Sequence, residues 1–244
     1  MTHQAIPTAH PVIVAGDDSP WGRAALRWAA EHADAIGAPL EVHPPTEDLV
    51  RDLLVASARG QALVVGHRGD GASFGLGRLV LPLVDHAACD VVVVRGTPEA
   101  LRHTHHRVTA LVSGNPSDEL LLARAVECAD RQRATLRVLY AVPPLPLRAD
   151  DPEWPVSHAD RLLRGVRHTS VLARMHPHEA ITRYADTDLL VLADRGPLTR
   201  TALHHARCPV LVAHRSPVET ARDRRRPARA ALTSPATGGR GPAR

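Results

Sequence analysis

Two short segments carry residue types suited to holding a ligand. The first is Gly16-Asp17-Asp18-Ser19-Pro20, directly after the apolar run at 12–14. In an open α/β sheet, ligands bind in the crevice beyond strand C-termini, near the point where strand order reverses. A carboxylate there, Asp17, can accept hydrogen bonds from an adenine amino group or a ribose hydroxyl. Asp17 and Ser19 equally suit the capping of a helix predicted over 22–36, and the two roles are compatible. The second segment is Gly66-His67-Arg68-Gly69-Asp70-Gly71-Ala72-Ser73-Phe74-Gly75-Leu76-Gly77-Arg78, between a buried strand and a helix. Glycines allow positive φ and bring backbone N–H groups close to an anion, and a following helix N-terminus favours negative charge. Arg68 and Arg78 add bidentate donors for phosphate oxygens. A surface loop is the other reading of the same residues.

The cations narrow the chemistry further. All 30 basic side chains are Arg, and Lys is absent. That excludes a P-loop lysine, a Schiff base and a pyridoxal-phosphate enzyme. The glycine run also departs from the dinucleotide GxGxxG spacing. Aromatic residues are 2% of the chain, too few for a base-stacking platform. Of the 16 histidines, the clusters His103/His105/His106, His176/His178 and His204/His205 lack the converging geometry that a metal needs, so no metal site is expected. Cys89, Cys128 and Cys208 lie far apart without a CxxC pair. With no basic-then-apolar start, they read as reduced thiols of a cytoplasmic protein. No apolar run approaches the ~18 residues of a membrane span.

An internal repeat supplies the elements that position these segments. His86-Ala87-Ala88-Cys89-Asp90-Val91-Val92-Val93-Val94 matches His205-Ala206-Arg207-Cys208-Pro209-Val210-Leu211-Val212-Ala213 in plan. Upstream, Val64-Val65-Gly66-His67-Arg68-Gly69 matches Val191-Leu192-Ala193-Asp194-Arg195-Gly196, and the run ending in Gly16-Asp17 matches the run ending in Gly114-Asn115. The second copy predicts strands at 108–113, 136–142, 170–175, 189–193 and 210–213. Its helices are predicted from the cap Asn115 or Ser117 to about 133, near 158–166 and at 179–184. The first copy predicts strands at 12–14, 40–43 and 63–65 and helices at 22–36 and 48–58, with one strand and one helix missing. Strands alternating with helices imply an α/β fold of parallel sheets covered on both faces. The boundaries follow as a truncated domain at 11–96, a polar linker at 97–107, a second domain at 108–215 and a disordered Arg/Pro/Ala-rich tail at 216–244. Seven Arg against Glu219 and Asp223 put the surplus positive charge in that tail, so the folded part makes an unpromising nucleic-acid surface.

Gly16-Asp17-Asp18-Ser19-Pro20, the Gly66-His67-Arg68-Gly69 turn, Gly77 and the closing Cys89-Asp90-Val91-Val92-Val93-Val94-Arg95 together resemble the universal stress protein family, over 11–95 and again over 108–215. The resemblance implies two tandem open parallel-sheet domains of the nucleotide-binding, α-hydrolase-like type. One branch of that family binds ATP through Gly-x2-Gly-x9-Gly-(Ser/Thr). Carried over, Gly66, Gly69 and Gly77 match the glycines and Asp17 the adenine-side aspartate. Seven residues rather than nine separate Gly69 from Gly77, and Arg78 stands at the hydroxyl position. The second copy has Asn115, Ala193 and Gly196-Pro197 at the matching places, which removes the phosphate cradle.

The expected function is therefore a non-catalytic stress-response module. Its first domain takes adenine nucleotide, with ATP as the cofactor, at Gly16, Asp17, Ser19, Gly66, Arg68, Gly69, Gly77 and Arg78. Its second domain serves packing or a partner. The truncated first copy leaves sheet surface to be covered, either by the longer second copy or by a second subunit in a homodimer. Two alternatives remain open: a nucleotide hydrolase using Asp70 or Asp85 near the phosphates, and a ligand-free interaction scaffold.

Overall fold

The computed structural model describes residues 10–68, 75–142, 153–193 and 195–214. Gly69, Asp70 and the 216–244 tail lie outside the described residues. The first half runs β1 (Val12–Ala15), α1 (Pro20–Ile36), β2 (Leu40–His43), α2 (Leu49–Ser57), β3 (Ala62–Gly66), α3 (Val80–His86) and β4 (Asp90–Val94). A four-residue helix, α4 (Pro98–Leu101), occupies part of the stretch read as a linker. The second half runs β5 (Arg107–Val112), α5 (Asp118–Gln132), β6 (Thr135–Ala141), α6 (Trp154–Leu162), β7 (His168–Ala173), α7 (Pro177–Arg183), β8 (Leu189–Leu192), α8 (Pro197–His205) and β9 (Val210–Val212).

Local chemistry sets these boundaries. Ser19 accepts a hydrogen bond from the Gly22 amide at 2.9 Å and opens α1, and Gly37 closes it in the left-handed conformation (φ 63°). The second helix of the second half, α6, begins and ends earlier than the pattern 158–166 predicts. Pro155 fits the helix's first turn, and Gly165 (φ 91°) turns the chain before β7. That turn also moves β7 forward from the predicted 170–175.

The expected two sheets are one. The strand order is β2-β1-β3-β4-β9-β8-β5-β6-β7, with every neighbouring pair parallel except β4 and β9. Those two run antiparallel with Val91 opposite Val212, Val92 opposite Leu211 and Val93 opposite Val210. The Cys89-to-Cys208 offset makes Leu211 the repeat's own counterpart of Val92, so the pairing centres on a pseudo-twofold axis between equivalent residues.

Alternate strand residues feed two cores, as expected for strands buried on both faces. Ile13, Leu63, Val91 and Val93 meet α2, α3, α7 and α8, while Val12, Val14, Val64 and Val92 meet α1, α5 and α6. The buried stripe of α1 is Ala24, Ala25, Trp28, Ala29 and Ala33, small residues that seat the helix close to the sheet around one large ring.

The halves differ at the outer edges. β6 is flanked by β7, whereas β2 has no outer neighbour among the described residues and leaves Leu40 and Val42 exposed. The chain passes from β2 straight to α2, without counterparts of α6 and β7. The second half does not cover this gap, because β9 and β2 stand at opposite ends of the first half's strands.

Polar contacts brace the central joint. Asp90 accepts from the Arg124 guanidinium (2.7 Å) and from the His214 amide (2.8 Å). Arg195 donates to the carbonyls of Asp85 (2.7 Å) and Ala87 at the end of α3, and Arg95 donates to the His204 carbonyl at the end of α8 (3.1 Å). Cations at helix C-termini are favourable, and here each comes from the opposite half. Fully buried Asp188 accepts from the His105 amide (3.0 Å) and Arg107 amide (3.3 Å), fastening the linker to β8. Among the described residues, no helix is long and apolar enough to cross a membrane.

Candidate functional site

The ends of β1 and β3 lie side by side at the reversal of strand order, since β1 connects to β2 on one flank and β3 pairs with it on the other. The structure brings Gly16, Asp17, Ser19 and Gly66 together there. The Gly16 amide donates to the His43 carbonyl (3.0 Å). The Asp17 Oδ1 accepts from the Ser19 amide (3.1 Å) and from the Ser19 hydroxyl. Both bonds fall on one carboxylate oxygen, and an ionised carboxylate offers about four acceptor positions. Ser19 itself is 3% exposed, with its hydroxyl held between Asp17 and the Gly22 amide. It therefore positions the carboxylate and caps α1 from inside the fold.

Gly66 has a packing reason that the sequence did not reveal. A Cβ there would stand 2.8 Å from the Trp21 carbonyl carbon and oxygen, so β3 meets the first turn of α1 without room for a side chain. Gly22 is equally constrained, since a Cβ would lie 1.9 Å from the Asp17 Oδ1. The Gly77 amide donates to the His67 carbonyl (2.7 Å), closing the base of the glycine run, and the Arg68 Nε donates to the Gly75 carbonyl (2.9 Å). Arg78 is exposed in the turn before α3.

Three residues beside this site were not singled out from sequence. His67 is 6% exposed, with its ring edge-on to Trp21 at 4.3 Å. Burial, then the charges of Arg95 and Arg68, hold its pKa down to about 4, so the ring is neutral at neutral pH. Its Nδ1 and the Nε of Arg95 have no hydrogen-bond partner among the described residues. Burial also lowers the pKa of Arg95, and neighbouring Arg68 acts in the same direction. Among the described residues, no carboxylate forms an ion pair with Arg68 or Arg95. The signal available in sequence was an Arg directly after Val91-Val92-Val93-Val94.

The corresponding place in the second half is filled. Asp118 is 3% exposed and accepts from the amides of Ser113 (3.1 Å) and Gly114 (2.8 Å). The protein's own carboxylate thus occupies the strand-end amides. Pro155 and Trp154 close over Gly114, where a Cβ would meet them at 3.1 and 3.8 Å. The first half has no α6 to do this.

Of the residues considered for hydrolysis, Asp85 lies near the end of α3 with its carboxylate 3.8 Å from Arg200 of α8, directed to the joint rather than the strand ends. His176, His178 and His205 form a chain of ring contacts, yet no group of three or more His, Cys, Asp or Glu among the described residues is placed to hold a metal. Cys89, Cys128 and Cys208 are buried and unpaired. Burial pushes the Cys89 and Cys208 thiols up to about 12, which removes their nucleophilic form.

No family model matches the chain. It is 31% identical to a universal stress protein of Mycolicibacterium smegmatis over 151 residues, covering 53% of this chain and 50% of that protein. The match therefore spans about half the length of that relative. It is 28% identical over 239 residues to the universal stress protein Rv2623 of Mycobacterium tuberculosis, covering 78% of this chain and 79% of the relative. Among solved structures, a universal stress protein from Archaeoglobus fulgidus superposes with a TM-score of 0.64 at 13% identity, over 85% of this chain and 99% of that one. The protein PA1789 from Pseudomonas aeruginosa gives 0.54 at 16% identity, over 84% and 81%. Those likenesses fix the fold, and the two mycobacterial relatives carry the same name across the doubled strand plan. With Gly16-Asp17, the Gly66 turn and the Cys-led valine strand all placed in that fold, the chain resembles the universal stress proteins in fold and in sequence.

Proposed function

We propose that this stress-response module binds adenine nucleotide, with ATP as the cofactor, at the ends of β1 and β3 in its first half, while its second half serves assembly. Charge carries the reading: Arg68 and Arg95 lie near a neutral buried His67, without an ion-paired carboxylate among the described residues. Phosphate supplies the missing countercharge and acceptors for guanidinium donors. Asp17 keeps acceptor positions for the adenine or ribose, and Arg78 replaces a hydroxyl with a longer, charged donor. Gly69 and the rest of the glycine run bring backbone amides to the phosphates in this reading. The role requires binding and no chemical step, and its setting is the cytoplasm.

Isothermal titration of the full chain with ATP tests this. Saturable binding is expected, weaker at high salt, and about tenfold or more weaker in Arg68→Ala, since a charge-assisted hydrogen bond is worth about 1.5–3 kcal/mol. Absence of saturable binding by the unaltered chain overturns the proposal. Phosphate release that disappears in Asp70→Ala would favour hydrolysis instead. A second copy of the chain is the partner proposed for the open β2 edge, where Leu40 and Val42 are exposed. Sedimentation at micromolar concentration is expected to give a dimer that Val42→Lys dissociates, and a strict monomer refutes this assembly.

A further inference from the structure

A cavity of about 230 Å³ lies between α1 and α5, where the two halves face each other across the pseudo-twofold axis. Trp28 and His32 line it from α1, His103 from the linker, and Arg131 and Gln132 from α5. Among the described residues, six buried side-chain polar atoms have no hydrogen-bond partner. Three of the six belong to residues lining this one cavity: Trp28 Nε1, His103 Nδ1 and Gln132 Oε1. Trp28 is 6% exposed, so water in bulk does not serve its indole N–H. A buried polar atom left unbonded costs about 1–3 kcal/mol. Three at one place mark a site whose guest supplies their partners.

The donor inventory defines the guest. The indole N–H donates only and demands an acceptor; the Gln132 Oε1 accepts only and demands a donor; the His103 nitrogen serves either way by tautomer. Charge is balanced, since Arg131 and Glu31 both line the cavity. The His32 ring stacks on Trp28 at 5.0 Å, giving a flat aromatic wall. Burial, followed by the Arg131 charge, lowers the His32 pKa to about 4, so this wall is uncharged at neutral pH. A cavity of about 150 Å³ holds benzene, so this one takes a ring bearing a small polar group.

We propose that the α1–α5 cavity binds a small, flat, uncharged molecule bearing a carboxamide or lactam group, whose carbonyl accepts from Trp28 and whose N–H donates to Gln132. The guest touches both halves and His103 of the linker, so its binding stabilises their packing. The site is independent of the nucleotide reading, since none of its residues lies at the ends of β1 or β3.

Nicotinamide and uracil are the probes, titrated into the ¹⁵N-labelled full chain. The indole N–H resonance of Trp28, assigned with Trp28→Phe, is expected to shift saturably with either probe while that of Trp154 stays put. Affinity is expected to fall about tenfold in Gln132→Leu, and nicotinic acid, which is charged, is expected to bind at least as much more weakly. Thermal melting is expected to show that Gln132→Leu is folded and has lost the stabilisation nicotinamide gives the unaltered chain. No saturable Trp28 shift with either probe, equal affinity in Gln132→Leu, or equal binding of nicotinic acid overturns the proposal. A Trp28 N–H that exchanges with resident water at saturating probe also overturns it, because the cavity then holds water alone. Failure of ATP to bind leaves these shifts unchanged, so the two proposals fail separately.

Discussion

Replacing Gly96 by Ala is expected to unfold the joint between the halves at a cost of about 4 kcal/mol. Gly96 follows β4 with φ 109°, a region that an L side chain rarely enters. A Cβ there would also stand 2.3 Å from the Arg207 carbonyl oxygen and 2.6 Å from the Cys208 Cα, which are backbone atoms of the opposite half. No rotamer change relieves that overlap. The neighbouring Thr97 amide donates to the same Arg207 carbonyl (3.0 Å), so moving the backbone away breaks a cross-half hydrogen bond. Gly37→Ala is the control: it also has positive φ (63°), but a Cβ there meets nothing within 4 Å. Its cost is expected to be about 1 kcal/mol. Urea unfolding of both variants decides the point. Equal midpoints would show that the joint gives way cheaply and that only φ matters.

The second large effect is expected at Asp90. Its side chain is 10% exposed and that of its partner Arg124 is 13% exposed. Asp90→Ala leaves that guanidinium without its carboxylate and the buried His214 amide without its acceptor, a loss of about 3–5 kcal/mol. Arg124 also lies 3.4 Å from Glu127, which retains part of its electrostatic support at the exposed end. The double variant Asp90→Ala with Arg124→Ala is expected to lose less than the sum of the two single changes, with a coupling of about 1–3 kcal/mol. Additive losses would mean that the two side chains act independently. A loss under about 1 kcal/mol for Asp90→Ala alone would remove the bridge from the account of the joint.

Neither Gly96 nor Asp90 stood out in the sequence, and the reason is physical. Local pattern records what a residue does within its own element. Val91-Val92-Val93-Val94 and Val210-Leu211-Val212 declare strands buried on both faces, and the repeat declares them equivalent. Nothing in either string states that the two strands pair with each other, or in which direction. The merger of two sheets into one was therefore invisible, and with it the purpose of every residue that crosses the joint. Asp90 entered the sequence reading only as part of the repeated Cys-led strand. Ser19 was legible as a cap because its partner, the Gly22 amide, is three residues away. Gly66 was read as a phosphate glycine, yet its closest neighbour is Trp21, brought there by the packing of α1 on β3. The missing strand and helix of the first half were legible from the shorter spacing between β2 and β3. Their effect on the site depended on seeing Trp154 and Pro155 cover the equivalent place in the second half.

The self-matched register of β4 on β9 has one more consequence. In an assembly of two identical chains, any change at such a seam is made twice, and a contact that suits one side must suit its mirror. Here a single chain supplies both sides, so each position mutates alone. Asp90 shows the outcome: its repeat counterpart is Pro209, which can form no ion pair. One side of the seam carries an ion pair with Arg124, while the other carries a proline whose carbonyl accepts from the Leu190 amide (3.0 Å). Tethering also fixes the partner at high local concentration, so the seam holds without a threshold of protein abundance. Covalent linkage thus relaxed symmetry as a design constraint, and the halves became free to specialise.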